Sequence, residues 1–315
     1  MNLFDNESTG LRLPLIVAPM FLVSSPELAI AASQNGVVGS LPAANARTVE
    51  ALDAWMGQIH EQLSPRQLPW LFNMIVHKTY DRFEAEVELV KRYQPAIVST
   101  ALGSPARILD TVKSYGGKVI ADVITPAMAR KAAAAGVDAL ILVTNGAGGH
   151  TGTYNPLAFI AEVRQFWDGP LGIAGCISTG RDLLAMRVAG ADFVLSGTRF
   201  IGARESLVAE GYRDMLVAAV MDDVIETKAV SGVKANWMRQ SLEQAGIDPA
   251  SENKAGIDFS GNISTANKAW KDVWSAGHGV GNIRAKETTA EIVNSLVAEF
   301  DTAVAETRQL LASFS

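Results

Sequence analysis

The stretch Asn145-Gly146-Ala147-Gly148-Gly149-His150 ends a glycine-rich run on an imidazole. A histidine presented by such a loop, rather than by an apolar helix face, can serve near neutral pH as base, acid or oriented hydrogen-bond donor. His150 is therefore the candidate catalytic residue. Two further turns pair glycine with hydroxyls: Gly175-Cys176 followed by Ser178 and Thr179, and Ser196-Gly197-Thr198. Glycine lets backbone N–H groups approach a ligand closely, and a helix start that follows favours an anion. A phosphate-bearing cofactor explains two such turns together, whereas tight turning explains either one alone.

Other residues that could do chemistry are weaker. His77 follows an apolar run but precedes the polar phrase Lys78-Thr79-Tyr80-Asp81-Arg82. His60 lies in a helical pattern and reads as a surface residue. Cys176 is the single cysteine, and no basic neighbour in sequence would lower its pKa, so a small-residue packing role is expected rather than nucleophilic chemistry. The late cluster Ala276-Gly277-His278-Gly279-Val280-Gly281 is either a plain turn or a closure over the cofactor from the far side.

Composition limits the function classes. Of 315 residues 48% are hydrophobic, and the net charge is −6, from 27 Lys plus Arg against 33 Asp plus Glu. A mildly acidic surface without a basic run does not collect nucleic-acid phosphates. One cysteine excludes an intramolecular disulfide and a cysteine-based zinc site, and no metal site is expected. The first ten residues lack the basic and apolar regions of a signal peptide, and no apolar run approaches the ~20 residues of a membrane span. A soluble, cytoplasmic protein is expected, compatible with a homodimer.

The elements that must position these residues alternate regularly up to about residue 200. Eight short apolar runs occur at Leu13–Met20, Gly36–Leu41, Trp70–Val76, Ala96–Leu102, Lys118–Ile124, Ala139–Asn145, Pro170–Cys176 and Phe193–Gly197. Nearly continuous apolar runs are the mark of parallel strands covered on both faces. Amphipathic stretches such as Ala46–Leu63, Asp81–Tyr93 and Pro126–Ala135 separate them, and Gly36, Gly136 and Gly190 stand where a left-handed residue would end a helix. Eight βα units predict a (β/α)₈ TIM barrel, of α/β class, over 1–204 and 271–315. Residues 205–270 read as a small helical subdomain over the barrel mouth, with a polar connector at Gln244–Asn267 and no clear strand. Thr288–Ser315 reads as one long helix. Trp237, Trp270 and Trp274 are expected to pack in a core or interface. In such a barrel the site lies at the C-terminal strand ends. That selects Ala18, Pro19 and Met20; Asn73; Asp122; the loop ending at His150; and the two glycine turns.

In this order the residues resemble the nitronate monooxygenase (2-nitropropane dioxygenase-like) family of FMN-dependent TIM barrels. The resemblance rests on Ala18-Pro19-Met20, Ala147-Gly148-Gly149-His150, Gly175-Cys176-Ile177-Ser178 and Gly197-Thr198-Arg199-Phe200, with Asn73, and runs from about residue 13 to about 285. It implies that Ala18, Pro19 and Met20 line the flavin, that Asn73 hydrogen-bonds it, and that Asp122, Ala147, Gly148, Gly149, Gly277 and His278 complete the cofactor site. Gly175, Cys176, Gly197 and Thr198 would hold the FMN phosphate, Ser196 belongs with the cofactor-binding residues, and His150 would act beside the substrate. The implied partners are a small molecule and O2: an alkyl nitronate oxidised to a carbonyl compound and nitrite, or NAD(P)H with an electron acceptor. The second pairing belongs to quinone reductases and FMN-type enoyl reductases of the same superfamily. A non-catalytic phosphate-binding barrel is the alternative of a different class. The chain departs from the family at Thr144-Asn145-Gly146, where many members carry an acidic residue, at Cys176, where a second glycine is usual, at Thr151, and at His278, where glutamine is usual. These departures bear on the substrate more than on the cofactor.

Overall fold

The computed structural model describes residues 10–251 and 273–314. Each apolar run contains a parallel strand: β1 (Leu15–Val17), β2 (Gly39–Pro42), β3 (Trp70–Ile75), β4 (Ile97–Ala101), β5 (Lys118–Val123), β6 (Ala139–Val143), β8 (Leu171–Ala174) and β9 (Phe193–Ser196), with β7 (Gly149–His150) standing apart. The order in the eight-stranded sheet is β1-β9-β8-β6-β5-β4-β3-β2. A parallel bridge between Ile16 and Val38 joins its two ends and closes the barrel. The runs outlast the ladders because the apolar side chains continue into the loops that line the mouth.

Alternation along each strand sorts side chains into two cores. Ile16, Val38, Leu71, Ile97, Ile120, Ala139, Ile141, Phe193 and Leu195 fill the barrel interior, while their sequence neighbours Val17, Phe72, Val98, Leu140 and Val194 pack outward against the helices. Those helices are α1 (Pro26–Gln34), α2 (Val49–Leu63), α3 (Phe83–Tyr93), α4 (Ala106–Ser114), α5 (Pro126–Ala135), α6 (Pro156–Val163), α7 (Gly180–Val188) and the short α8 (Thr198–Ile201). Side-chain oxygens of Ser25, Thr48, Thr125, Asn155 and Thr179 cap five of them, each accepting from a first-turn N–H. Gly36, Gly136 and Gly190 all have positive φ, as their places before strands require.

Past α8 come α9 (Glu210–Ala218), the antiparallel strands β10 (Val224–Thr227) and β11 (Ala235–Met238), and α10 (Arg239–Gln244). The expectation of a purely helical segment is thus corrected. The strands are only four residues each, and their partner is remote: β11 pairs with β7, setting Ala235 opposite His150 and Asn236 opposite Gly149. A local hydrophobic period cannot reveal a pairing that distant. Trp237 is fully buried beneath this three-stranded sheet, and the ring of Trp274 stacks on Tyr212 at 4.9 Å. Most of the Gln244–Asn267 connector, and Trp270, lie outside the described residues. The last helix, α11 (Thr289–Ala312), packs on α7 and α1, with the Glu299 carboxylate accepting from the Gly180 N–H at 2.8 Å. No helix among the described residues is long and apolar enough to cross a membrane.

Candidate active site

The inward parity of the strands continues one step above the apolar filling and there becomes a cavity. It measures about 400 Å³ and lies at the C-terminal strand ends. On β3, Leu71 belongs to the filling while Asn73 and Ile75 line the cavity; on β5, Ile120 fills and Asp122 lines. The Asn73 amide is anchored by donating to the buried Ser99 hydroxyl at 2.8 Å.

The loop from Gly146 to His150 forms one wall and is held from three directions. Its Gly146 carbonyl accepts from the His278 N–H at 3.1 Å, and the Asn236 amide donates to the Ala147 carbonyl at 2.7 Å. The third hold is the β7–β11 ladder. Gly148 and Gly277 are required here by close approach. A Cβ on Gly148 would stand 2.8 Å from the Gly277 nitrogen, and one on Gly277 would stand 2.5 Å from the Gly146 carbonyl oxygen. His150 opens into the cavity, yet the surrounding protein desolvates it and lowers its pKa below the ordinary histidine value. The neutral imidazole is therefore the dominant form at neutral pH.

The two glycine turns line the same cavity, with Gly175 and Cys176 packed directly against Gly146 and Ala147 of that loop. Gly175 and Cys176 are consecutive left-handed residues, with φ of 118° and 60°. Among the described residues, no backbone carbonyl accepts from the N–H of Gly175, Cys176 or Gly197. Thr198 lines the cavity while its oxygen accepts from the Gly277 N–H at 2.8 Å, so the hydroxyl proton stays available to a ligand. The Cys176 side chain is exposed and lies over Gly146, and burial of the surrounding region, with Asp182 nearby, pushes its thiol pKa up. An unreactive thiol is what that environment makes.

Ala18, Pro19, Met20, Asn73, Asp122, Ala147, Gly148, Gly149, His150, Gly175, Cys176, Gly197 and Thr198 all line this one cavity. Ser196, Gly277 and His278 are not among its lining residues. Ser196 faces outward, donating to the Ile177 carbonyl at 2.7 Å, and the contributions of Gly277 and His278 are backbone bonds that brace the loop behind the cavity. Ser178 and Thr179 serve the start of α7: the Asp182 carboxylate accepts from both backbone N–H groups, and Thr179 caps the helix. His77 is outside the lining and bonds Thr79 through Nδ1 at 2.9 Å; His60 is exposed on α2. Sequence reasoning missed Phe21, Val23, Leu102 and Ile201 of the apolar wall, together with Ser275, whereas Gly279 of the late glycine cluster does line the cavity. Strand parity could not have signalled these, since Ile201 lies on α8 and the rest sit outside the strands.

Comparison with known proteins agrees with this geometry. A family profile described as Nitronate monooxygenase matches residues 58–299. The chain is 28% identical to a nitronate monooxygenase of Paraburkholderia phytofirmans, with 95% of each chain covered. Among solved structures it is similar to nitroalkane oxidase from Streptomyces ansochromogenes, at TM-score 0.80 and 24% identity over 94% of this chain and 97% of that one. It is also similar to FabK from Thermotoga maritima, at TM-score 0.79 and 22% identity over 97% and 98%. Those two likenesses speak for the barrel.

Proposed function

Because the chain belongs to the nitronate monooxygenase family, and is an oxidoreductase on that ground, we propose that it uses FMN to oxidise alkyl nitronates with O2 to carbonyl compounds and nitrite, in the cytoplasm. The observation that carries this reading is that His150 lines the same largely apolar cavity as the Gly175, Cys176 and Gly197 N–H groups, from which no backbone carbonyl among the described residues accepts. The residues fit FMN. The N–H groups of Gly175, Cys176 and Gly197 and the Thr198 hydroxyl would take the phosphate, and Ala18, Pro19, Met20 and the Asn73 amide would meet the ring. The apolar lining matches a flat heteroaromatic. Bound FMN would supply the electron transfer that oxidation of the substrate by O2 requires.

The protein's own part is binding and proton handling. Phe21, Val23, Ile75 and Leu102 give an alkyl chain an apolar wall and exclude water from it. Among the described residues no lysine or arginine lines the cavity, and the donors there that would meet a nitronate oxygen are the His150 ring N–H and backbone N–H groups. As a neutral imidazole, His150 can also remove the α-proton of a nitroalkane to generate the nitronate in place. Of the segment 205–270, the described residues 205–251 are proposed to cap the mouth, on the support of the β11 ladder that fixes β7; the others lie outside the described residues.

The test is His150→Ala, assayed by oxygen uptake with nitronate and with the parent nitroalkane. Activity is expected to fall on the order of a hundred- to ten-thousand-fold with FMN still bound. Full activity of the FMN-loaded variant would overturn the assignment. In the wild type the nitroalkane rate should fall as pH drops through the depressed His150 pKa, because protonation removes the base.

A further inference from the structure

Asp122 is a carboxyl group that the protein itself does not explain. It stands inward on β5, one step above Ile120 of the barrel filling, with Ile141 opposite in the ladder. Its Oδ1 is buried without a hydrogen-bond partner, and its neighbours Ile75, Ala101, Ile141 and Val143 along the cavity wall are apolar. A structural carboxylate would be expected to accept from N–H groups or pair with a cation. The nearest cation along its own strand, Lys118, is spent on Asp138 at 3.0 Å at the other end of β5. Among the described residues, the remaining titratable groups lining the cavity are His150 and Cys176. On the strands beside β5, the inward residues Ser99, Ala101, Ile141 and Val143 carry no charge.

We infer that Asp122 enters the site as a neutral carboxylic acid and donates its proton in a hydrogen bond to an acceptor on the bound flavin ring, a ring carbonyl or ring nitrogen. This rests on the FMN reading above. Desolvation alone pushes its pKa up to about 7, with no charged group contributing. A carboxylic acid carries a donor that a carboxylate lacks. Asp122 lines a cavity in which the described residues offer its Oδ1 no partner, so a bound ligand would supply the acceptor. Its place on the inner strand wall, shared with Asn73, favours the ring over a substrate entering past the lip. Asp122 is thus a positioning residue whose protonation tunes how tightly the flavin is held.

The sign follows from the raised pKa. The donor is present below about pH 7 and is lost as pH rises through that value, when a carboxylate would face ring acceptors. The experiment titrates FMN, by quenching of its fluorescence, into apoprotein of the wild type, Asp122→Asn and Asp122→Leu between pH 6 and 8. Asparagine keeps a neutral donor at every pH and leucine has none. Quoting each variant as a ratio to wild type cancels the titration of the FMN phosphate itself. The expected result is a wild-type to Asn ratio of dissociation constants near unity at pH 6, rising roughly tenfold by pH 8, with Leu weaker than wild type by roughly tenfold at pH 6. A flat ratio, or a Leu variant binding as tightly as wild type at pH 6, overturns the inference while leaving the FMN reading in place. Wild-type protein that binds no FMN at all removes the proposed function and this inference together.

Discussion

The two sides of the barrel mouth are built on opposite principles. From β6 to β9 the wall is backbone: Gly146, Gly148, Gly175 and Gly197 bring peptide groups to the surface, and Gly277 braces the Gly146–Gly148 stretch from behind. From β1 to β4 the wall is side chain: Met20, Phe21, Val23, Ile75 and Leu102. A backbone wall offers fixed donors at fixed places and tolerates almost no added atom. A side-chain wall offers area and shape, and it can be recut. The first suits a group that is always the same, such as a cofactor phosphate. The second suits a substrate whose alkyl portion varies. His150 belongs to the first wall by its backbone and serves the second by its ring.

Three substitutions sharpen that contrast. Gly277→Ala should act most strongly, because its Cβ would stand 2.5 Å from the Gly146 carbonyl oxygen and 2.9 Å from the Gly148 nitrogen, both backbone. A loss of roughly 2–3 kcal/mol in unfolding free energy is expected, with weakened FMN binding, read by denaturant melts and flavin retention. Wild-type stability and flavin content would break the claim that this wall is rigid. Ile75→Ala on the other wall should raise KM for longer nitroalkanes roughly tenfold and leave FMN affinity within about twofold; an equal loss of FMN would erase the distinction. The smallest effect is expected from Cys176→Gly. Its φ of 60° is left-handed, so glycine should raise stability by about 1 kcal/mol and preserve flavin binding, as thermal melts at fixed FMN would show.

The barrel was legible because its strands are buried on both faces and announce themselves as unbroken apolar runs, with Gly136 and Gly190 marking the turns between helix and strand. The site was legible where chemistry and strand end coincide, at His150, Asn73 and Gly175. Ser196 could have been set aside from parity alone: Phe193 and Leu195 point inward, so Ser196 points out. What the sequence could not show is long-range. The pairing of Asn236 with Gly149 joins segments 87 positions apart by their residue numbers, 236 − 149, and the hold of Gly277 on the His150 loop is a matter of van der Waals distance between glycines. The isolation of Asp122 is likewise visible only once its apolar neighbours on β4 and β6 are in place. By contrast Glu86, also buried and pushed up to about 7 by desolvation, accepts from Tyr80 at 2.6 Å and pairs with Arg82 at 3.2 Å. A buried carboxyl with partners reads as structure, and one facing a cavity without them reads as site.

The central claim is that this barrel carries a flavin which reacts with nitronate beside His150. Anaerobic mixing of the purified, FMN-loaded protein with an alkyl nitronate, and separately with NADH, tests it most directly by following loss of flavin absorbance. The account predicts bleaching by nitronate and none by NADH. Bleaching by NADH alone would contradict it and make the protein a reductase built on the same cavity.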